Sequence, residues 1–354
     1  FEGNLSRWAF VKGGMGEITQ SLAKAAQAQS VEIRTGVPVN QVLIKSGRAI
    51  GIVLKGGEEI AADIVISNAE PKRSLLKFVE EKHLAAEFRR DVERIDQRGA
   101  MARVHLLVDE LPRYIGLPDE LPGPQHRGHQ MLGASVENFE QAWQAQRQGR
   151  IPDDFQIEAI TQSVTDPTLA PEGLHTLTLG VQHTPAQLAD GTWDDIRDSW
   201  ADKVVDILSR YAPNIKDHIV DRHVITPLDL EREYGIPGGC IFHTAMTIKQ
   251  LFGSRPLAAL SHYRTPVAGY YLCGAGMHPG GGVMGLPGHN AAKVVLRDLR
   301  GETSEVSNVA QRTQVPQGFL DRILETPLGR RLGYKVARSR GLRPLTERAS
   351  RSRK

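Results

Sequence analysis

Residues 274–290, which read "GAGMHPGGGVMGLPGHN", restrict the possible folds of this chain more than any other segment. Seven of these seventeen residues are glycine and two are proline, and the segment stands between the apolar runs "GYYLC" and "AAKVVLRDL". This order predicts a buried strand, a stiff glycine-rich loop and a helix. Glycines let another molecule approach the backbone, and the start of a helix offers unpaired N–H groups to an anion. The segment therefore predicts one half of a nucleotide-binding unit.

Length and composition describe a soluble globular protein of two intertwined domains. The chain has 354 residues, of which 40% are hydrophobic and 24% charged, with a formal net charge of +3. This mild excess of base gives no reason to expect a nucleic acid partner. The two cysteines, Cys240 and Cys273, are too far apart for a CxxC pair or a zinc knuckle, so we expect neither disulfide exchange nor a metal site. No apolar run approaches the length needed to cross a bilayer.

The first hundred residues predict a helix, several strands and a helical region. A glycine-rich turn from Gly13 leads into residues with helical apolar spacing, which include Ile18 and Leu22. Residues 31–70 are rich in β-branched side chains and punctuated by glycines, which predicts a strand, a β-meander and a buried strand "ADIVISNA". Residues 74–98 are charged and amphipathic, which favours helix.

The middle of the chain lacks the regular alternation of strands and helices that a doubly wound sheet requires. "ARVHLLVD", "LHTLTLGVQ" and "HIVDRHVIT" predict strands, and "WDDIRDSWADKVVDILSRYAP" predicts a helix. We therefore expect an α+β domain here. After Leu299 the chain becomes polar and then strongly basic, which predicts a tail.

The glycine segment and its neighbours resemble a known family. "YYLCGAGMHPGGGVMGLPGHNAA" resembles the C-terminal flavin-binding signature of the phytoene desaturase and carotenoid oxidoreductase group, within the amine-oxidase-like flavoproteins. "GGCIFH" and "RPLAALSHYRTPVAGYYLCG" are closer still to its pyridine nucleotide-disulfide oxidoreductase domain-containing protein 2 branch. "KGGMGEITQSLAKAA" and the meander match the same pattern, so the resemblance extends to about residue 300.

This resemblance implies an α/β fold, with a Rossmann-like FAD-binding domain that carries an inserted α+β substrate domain. The family holds the FAD pyrophosphate on a GxGxxG turn near its N terminus. This chain opens at Phe1 without that turn, so we expect an incomplete FAD-binding domain and the C-terminal part of a longer flavoprotein. The expected portions are 1–100 and 266–300 for FAD binding, 101–265 for the substrate domain and 301–354 for the tail.

The resemblance also implies FAD contacts at individual positions. Gly274, Ala275 and Gly276 are expected near the phosphates and the ribityl chain. The following residues are expected to pass along the flavin: His278, Pro279, Gly280, Gly281, Gly282, Val283, Met284 and Gly285. Val39, in "VPVNQV", matches the position where related flavoproteins bond adenine through the main chain, although a simple strand-core position is the alternative.

Candidate catalytic residues are few. His278 and His243 could transfer a proton near neutral pH, with a structural hydrogen bond as the alternative for each. Arg255 and Arg264 could neutralise an acidic substrate or the pyrophosphate, with surface salt bridges as the alternative.

Aromatic, methionine and glycine residues add candidates for the substrate side. They could line an apolar substrate channel or the substrate face of the flavin, or serve only packing. These residues are Tyr234, Phe242, Met246 and Tyr263 for the channel, and Gly13, Gly14 and Gly16 for the flavin face.

The resemblance implies an FAD-dependent oxidoreductase, a dehydrogenase or desaturase that passes hydride from an apolar small molecule to flavin N5. The alternatives are a carotenoid or retinoid isomerase, a flavin-stabilised scaffold that binds a partner, and a truncated remnant without activity. The basic tail could contact anionic lipid or a protein, or simply be solvated. We expect a cytoplasmic location in a bacterium, and the mitochondrial matrix or inner membrane face in a eukaryote.

Overall fold

A glycine turn and a helix open the part of the chain that the computed structural model describes, residues 10–99 and 101–302. Helix α1, Gly16–Gln27, forms as the sequence predicts, but none of its residues is buried. Residues 31–37 form no strand, so the strand predicted there is wrong. A strand needs the backbone hydrogen bonds of a neighbour, and within the described residues none pairs with this segment, where Val31 and Ile33 stay exposed.

The predicted meander is present as three antiparallel strands: β1 Val39–Lys45, β2 Arg48–Leu54 and β3 Glu59–Ala61. Strand β4, Val65–Ser67, follows and leaves Ile66 46% exposed, so it is less buried than predicted. The next residues form short turns of helix and then α2, Ala86–Glu93.

The middle of the chain forms a five-stranded antiparallel sheet in the order β6-β7-β8-β5-β9. The strands are β5 Ala102–Val108, β6 His129–Leu132, β7 Ile157–Ile160, β8 His175–Val181 and β9 Ile219–Ile225. The helices are α3 Val136–Arg147, α4 Trp193–Ser209 and α5 Pro227–Tyr234. The predicted α+β character of this region is confirmed.

The last strand and helix enclose the glycine segment. Strand β10, Tyr270–Leu272, is fully buried and pairs in parallel with β4. Helix α6, Leu286–Leu299, begins within the glycine segment. The strand, loop and helix predicted here are confirmed.

Two separate hydrophobic cores organise the described residues. Val104 and Leu106 of β5 pack with Val204 and other apolar residues of α4 on one face of the large sheet. The other core combines residues 42–95 with residues 260–291, including Tyr270. The early and late parts of the chain therefore share a core, and the sheet between them has its own. This is the arrangement of an inserted domain, although the boundaries given above stay predictions.

The chain divides into two compact units, Phe1–Leu296 and Arg297–Lys354. Of the second unit, the structure describes only residues 297–302. Apart from residues 301 and 302, the predicted tail, 301–354, therefore lies outside the described residues. Within the described ranges, no helix combines the length and apolarity needed to cross a membrane.

Candidate functional site

At the beginning of the glycine loop, the positions of Gly274 and Gly276 are packed too tightly for a side chain. A Cβ atom on Gly274 would come 2.5 Å from the carbonyl oxygen of Asn68, and one on Gly276 would come 2.7 Å from Cδ of Pro71. Both contacts join the end of β10 to the segment that follows β4. These two glycines therefore hold the loop at the end of the parallel strand pair.

The later part of the loop lies open. Residues 282–286 are all exposed, and the backbone takes positive φ at Gly282, Val283 and Gly285. A β-branched residue rarely adopts this conformation, so Val283 is held there under strain. Nothing lies within 4 Å of a Cβ built on Gly285 or Gly288. The space beside the backbone at these two glycines is therefore open, and another molecule can approach it there.

Helix α6 begins at this open backbone. Its first turn is closed by a 3.1 Å hydrogen bond from the His289 amide to the Gly285 carbonyl. The N–H groups of Leu286 and Gly288 precede that bond, where a helix has no internal acceptor for them. Together with the helix dipole, they favour a negatively charged or electron-rich group. Open backbone and helix start together fit a planar, anionic cofactor.

Two buried side chains anchor the back of the loop. Nη2 of Arg255 donates to the carbonyls of Phe242 (2.8 Å) and Ala275 (2.9 Å). The hydroxyl of Tyr263 donates to the carbonyl of His278 at 2.7 Å. Burial lowers the pKa of Arg255 and raises the pKa of Tyr263. Arg255 is fully buried, which excludes the surface salt bridge considered as its alternative role.

The two candidate histidines lie on neighbouring loops. A Cβ on Gly276 would stand 3.4 Å from Cβ of His243, and the ring of His278 lies 6.4 Å from that of Phe252. Nδ1 of each histidine is buried without a hydrogen-bond partner among the described residues. Burial lowers the pKa of His243, and the positive charge of Arg255 lowers it further. The neutral ring is therefore favoured at His243, and a catalytic role for either residue stays a prediction.

An exposed apolar surface borders the open part of the loop. Cε of Met246 would lie 3.5 Å from a Cβ on Gly280, and Cδ1 of Phe242 3.1 Å from one on Gly281. We use the name apolar ridge for the exposed side chains of these two neighbouring segments. They are Met246, Ile248, Phe252, Val283, Met284 and Leu286. Exposed apolar groups of this number mark a binding surface more often than a plain exterior.

The remaining predicted residues are spread over the molecule. Val39 opens β1 opposite Leu54, half-buried, in a sheet separate from β10. Tyr234 ends α5 and is 63% exposed. Arg264 forms a backbone bridge with Tyr271. Tyr234 is therefore not buried in the core, whereas Tyr263 is part of the core that includes Tyr270.

The early glycine turn contacts the large sheet domain. The amide of Gly13 donates to Oδ2 of Asp166 at 2.6 Å, and a Cβ on Gly14 would stand 3.4 Å from Cδ2 of Leu169. Leu169 lines a recess of about 300 Å³ on the sheet face turned away from α4. The glycine turn therefore lies beside this recess.

Sequence reasoning missed the polar residues of the recess. Nδ1 of His105 lies 3.1 Å from Oγ1 of Thr178, and the ring of His105 stacks on that of His223 at 6.4 Å. Burial lowers the pKa of His105, with Arg103 and His223 adding to the shift. The alternation of "ARVHLLVD" gives the signal, because Val104 and Leu106 face the core while Arg103 and His105 face outward. Within the described residues, no group of three or more potential ligands could hold a metal ion.

Comparison with known proteins identifies the family. Residues 1–296 match the family described as flavin containing amine oxidoreductase. Pyridine nucleotide-disulfide oxidoreductase domain-containing protein 2 of Rattus norvegicus is 40% identical over 84% of this chain and 53% of its own length. Phytoene desaturase (neurosporene-forming) of Cereibacter sphaeroides is 26% identical over 78% of this chain and 51% of its own.

A further relative and a solved structure cover similar shares. A limonene dehydrogenase polypeptide of Castellaniella defragrans is 24% identical over 82% of this chain and 55% of its own length. Cyclohexylamine oxidase from Brevibacterium oxydans aligns with a TM-score of 0.49 and 15% identity over 81% of this chain and 53% of that one. The chain spans about half the length of the curated relatives it matches. With its residues 1–296 matched throughout, the chain belongs to the flavin containing amine oxidoreductase family, whose cofactor is FAD.

Proposed function

We propose that this chain supplies the C-terminal FAD-binding loop and the substrate-binding sheet of an FAD-dependent oxidoreductase. The observation that carries the proposal is the open backbone where the glycine loop leads into α6, with positive φ at Gly282, Val283 and Gly285 and open space at Gly285 and Gly288. When bound, FAD supplies an isoalloxazine that accepts a hydride from the substrate. The chain itself binds, orients and shields the reactants.

The loop residues hold the cofactor through their backbone. The N–H groups at the start of α6 stabilise an anionic or electron-rich edge. Arg255 and Tyr263 fix the loop from behind through the carbonyls of Ala275 and His278. Because these anchors are buried, the loop keeps its shape before the cofactor arrives, and little ordering entropy is lost on binding.

The substrate side combines the apolar ridge with the recess beside His105. The ridge favours an apolar small molecule and keeps water from the reacting bond. Two relatives are named for phytoene and limonene, which supports an apolar substrate here too. In the recess, burial lowers the pKa of His105 and favours its neutral ring at pH 7. The neutral ring of His105 can therefore accept a proton there. We propose a dehydrogenase or desaturase reaction on such a substrate.

Titration with FAD tests the proposal. The purified chain is compared with a form fused to the part of a curated relative that this chain does not match, and bound flavin is followed by visible absorption. Gly288→Leu places a side chain in open space at the start of α6, so it leaves the fold intact and lowers FAD affinity at least tenfold. Gly56→Leu is the matched control, because Gly56 is equally unobstructed but lies in the turn between β2 and β3.

The outcomes are distinct. The proposal holds if either form binds FAD and only Gly288→Leu weakens binding. If neither form binds FAD, or if both substitutions weaken it equally, the open backbone is not the cofactor site.

A further inference from the structure

Arg255 is the most deeply buried charged group behind the glycine loop, with 0% of its surface exposed. Its two terminal nitrogens donate only to backbone carbonyls. The acceptors are those of Phe242 (2.8 Å), Thr244 (3.4 Å), Gln250 (3.3 Å) and Ala275 (2.9 Å). Carbonyl dipoles stabilise a cation, but they leave its full charge in place.

No carboxylate neutralises this guanidinium. Among the described residues, none lies within 4.0 Å of its nitrogens. An unpaired charge in a low-dielectric interior is strongly unfavourable, and buried arginines are normally matched by an acid or a bound anion. The structure therefore holds a positive charge whose partner is not an acid among the described residues.

The unsatisfied part of Arg255 faces the glycine loop. In the part of the chain that the structure describes, Nε is buried without an acceptor. It would lie 3.5 Å from a Cβ on Gly280, a residue with φ +117. Gly280 closely precedes the open backbone at 282–286. Because glycine adds no side chain, the guanidinium comes close to the main chain of the loop at Gly280.

We propose that Arg255 is a positioning residue whose charge acts through the Gly280 backbone to favour the anionic, reduced form of the flavin. The inference rests on the proposed function, because it requires FAD at the open loop. Reduction adds two electrons and one proton to the oxidised ring system and leaves one negative charge on it. A buried positive charge nearby stabilises that product and raises the reduction potential, since low-dielectric surroundings screen it little.

The test measures the two-electron reduction potential of bound FAD, with xanthine and xanthine oxidase as reductant and a reference dye. Arg255→Gln removes the charge, and we expect at least a tenfold fall in the ratio of reduced to oxidised flavin at a fixed potential. For a two-electron couple this is a shift of about 30 mV toward more negative values. Arg255→Lys is the rescue variant, with a smaller shift, and is used alone if Arg255→Gln does not fold.

Arg210→Gln is the matched control. Arg210 lies at the end of α4 beside Asp154, so its substitution removes an equal positive charge outside the glycine loop and should leave the potential unchanged. Dissociation constants for oxidised FAD are measured beside the potentials. If the charge of Arg255 instead holds the FAD diphosphate, Arg255→Gln will weaken the binding of oxidised and reduced FAD equally and leave the reduction potential unchanged.

Each result decides between the two proposals. An unchanged potential in Arg255→Gln, or an equal shift in Arg210→Gln, overturns the role of Arg255, while FAD binding by the wild type still supports the proposed function. Failure of the wild type to bind FAD removes both.

Discussion

The hydroxyl of Tyr263 donates a 2.7 Å hydrogen bond to the carbonyl of His278 and accepts one of 2.9 Å from the side-chain amide of Asn290. One buried oxygen thus joins the core, the glycine loop and helix α6. Since Tyr263 is only 6% exposed, water cannot replace these bonds.

Tyr263→Phe is expected to lower the free energy of unfolding by about 1 to 3 kcal/mol, because two polar partners lose their bonds. Urea denaturation measures the change. Tyr234→Phe is the control, since the side chain of Tyr234 is exposed, and its effect should stay within about 0.5 kcal/mol. Equal effects for the two substitutions would contradict the anchoring role of Tyr263.

Asp229 makes the stability of the large sheet domain depend on pH. Its carboxylate pairs with both terminal nitrogens of Arg197 and accepts two 2.8 Å bonds from Thr226. Burial alone would raise the pKa of Asp229, but the bonds from Arg197 and Thr226 outweigh it and lower the pKa. The stabilisation is therefore complete above the unfolded pKa of about 3.9 and is lost as pH falls through the lower folded pKa.

Asp229→Asn should lower the free energy of unfolding by about 2 kcal/mol at pH 7, and the difference from wild type should shrink below about pH 4. Denaturation curves at pH 7 and pH 3.5 provide the comparison. Asp194→Asn is the control, because Asp194 lies 3.6 Å from the same arginine with its side chain 46% exposed. Its effect should stay below about 1 kcal/mol at both pH values. A difference for Asp229→Asn that does not change with pH would rule out this linkage.

His105 should titrate below the ordinary histidine pKa. Burial disfavours its charged form first, and then Arg103 and His223 disfavour it further. The neutral ring is favoured in the folded protein, so its contribution is present above the unfolded pKa of about 6.5 and is lost as pH falls toward the folded pKa. Between pH 7.5 and 5.5, wild type should lose more stability than His105→Gln.

NMR titration of ¹³C-labelled histidines measures the same shift directly. His223→Gln removes one of the groups that lower the pKa of His105, so it should raise that pKa part of the way toward its usual value. A His105 midpoint at or above 6.5 in the wild type would show that burial does not control this ring.

Local patterns in the sequence predict the elements on which the site is built. The strand, loop and helix at residues 270–299 are confirmed because their signals, an apolar run, clustered glycines and helical spacing, depend on neighbouring residues alone. The family resemblance rests on the same segment and is confirmed. The assignment of Val39 and of individual loop residues to parts of FAD stays a prediction.

Features that depend on distant contacts could not be read from the sequence. The strand predicted at residues 31–37 is absent because pairing needs a neighbour, which local propensity does not reveal. The burial of Arg255 depends on carbonyls from three separate segments. The stack of His105 on His223 needs the register of β5 and β9. For His105 the alternating pattern was available, whereas for Arg255 the residue type itself favours an exposed position.

The parallel pairing of β4 with β10 has a consequence for folding during synthesis. The whole five-stranded sheet lies between these two strands in the sequence, and its core uses none of their residues. Long-range parallel pairs close slowly because the loop entropy is lost before the contacts form. Pulse-labelling hydrogen exchange should therefore show protection of 102–108 before 270–272. The ribosome must release residue 272 before β10 can pair with β4. The glycine loop that follows β10 therefore takes its shape after the five-stranded sheet.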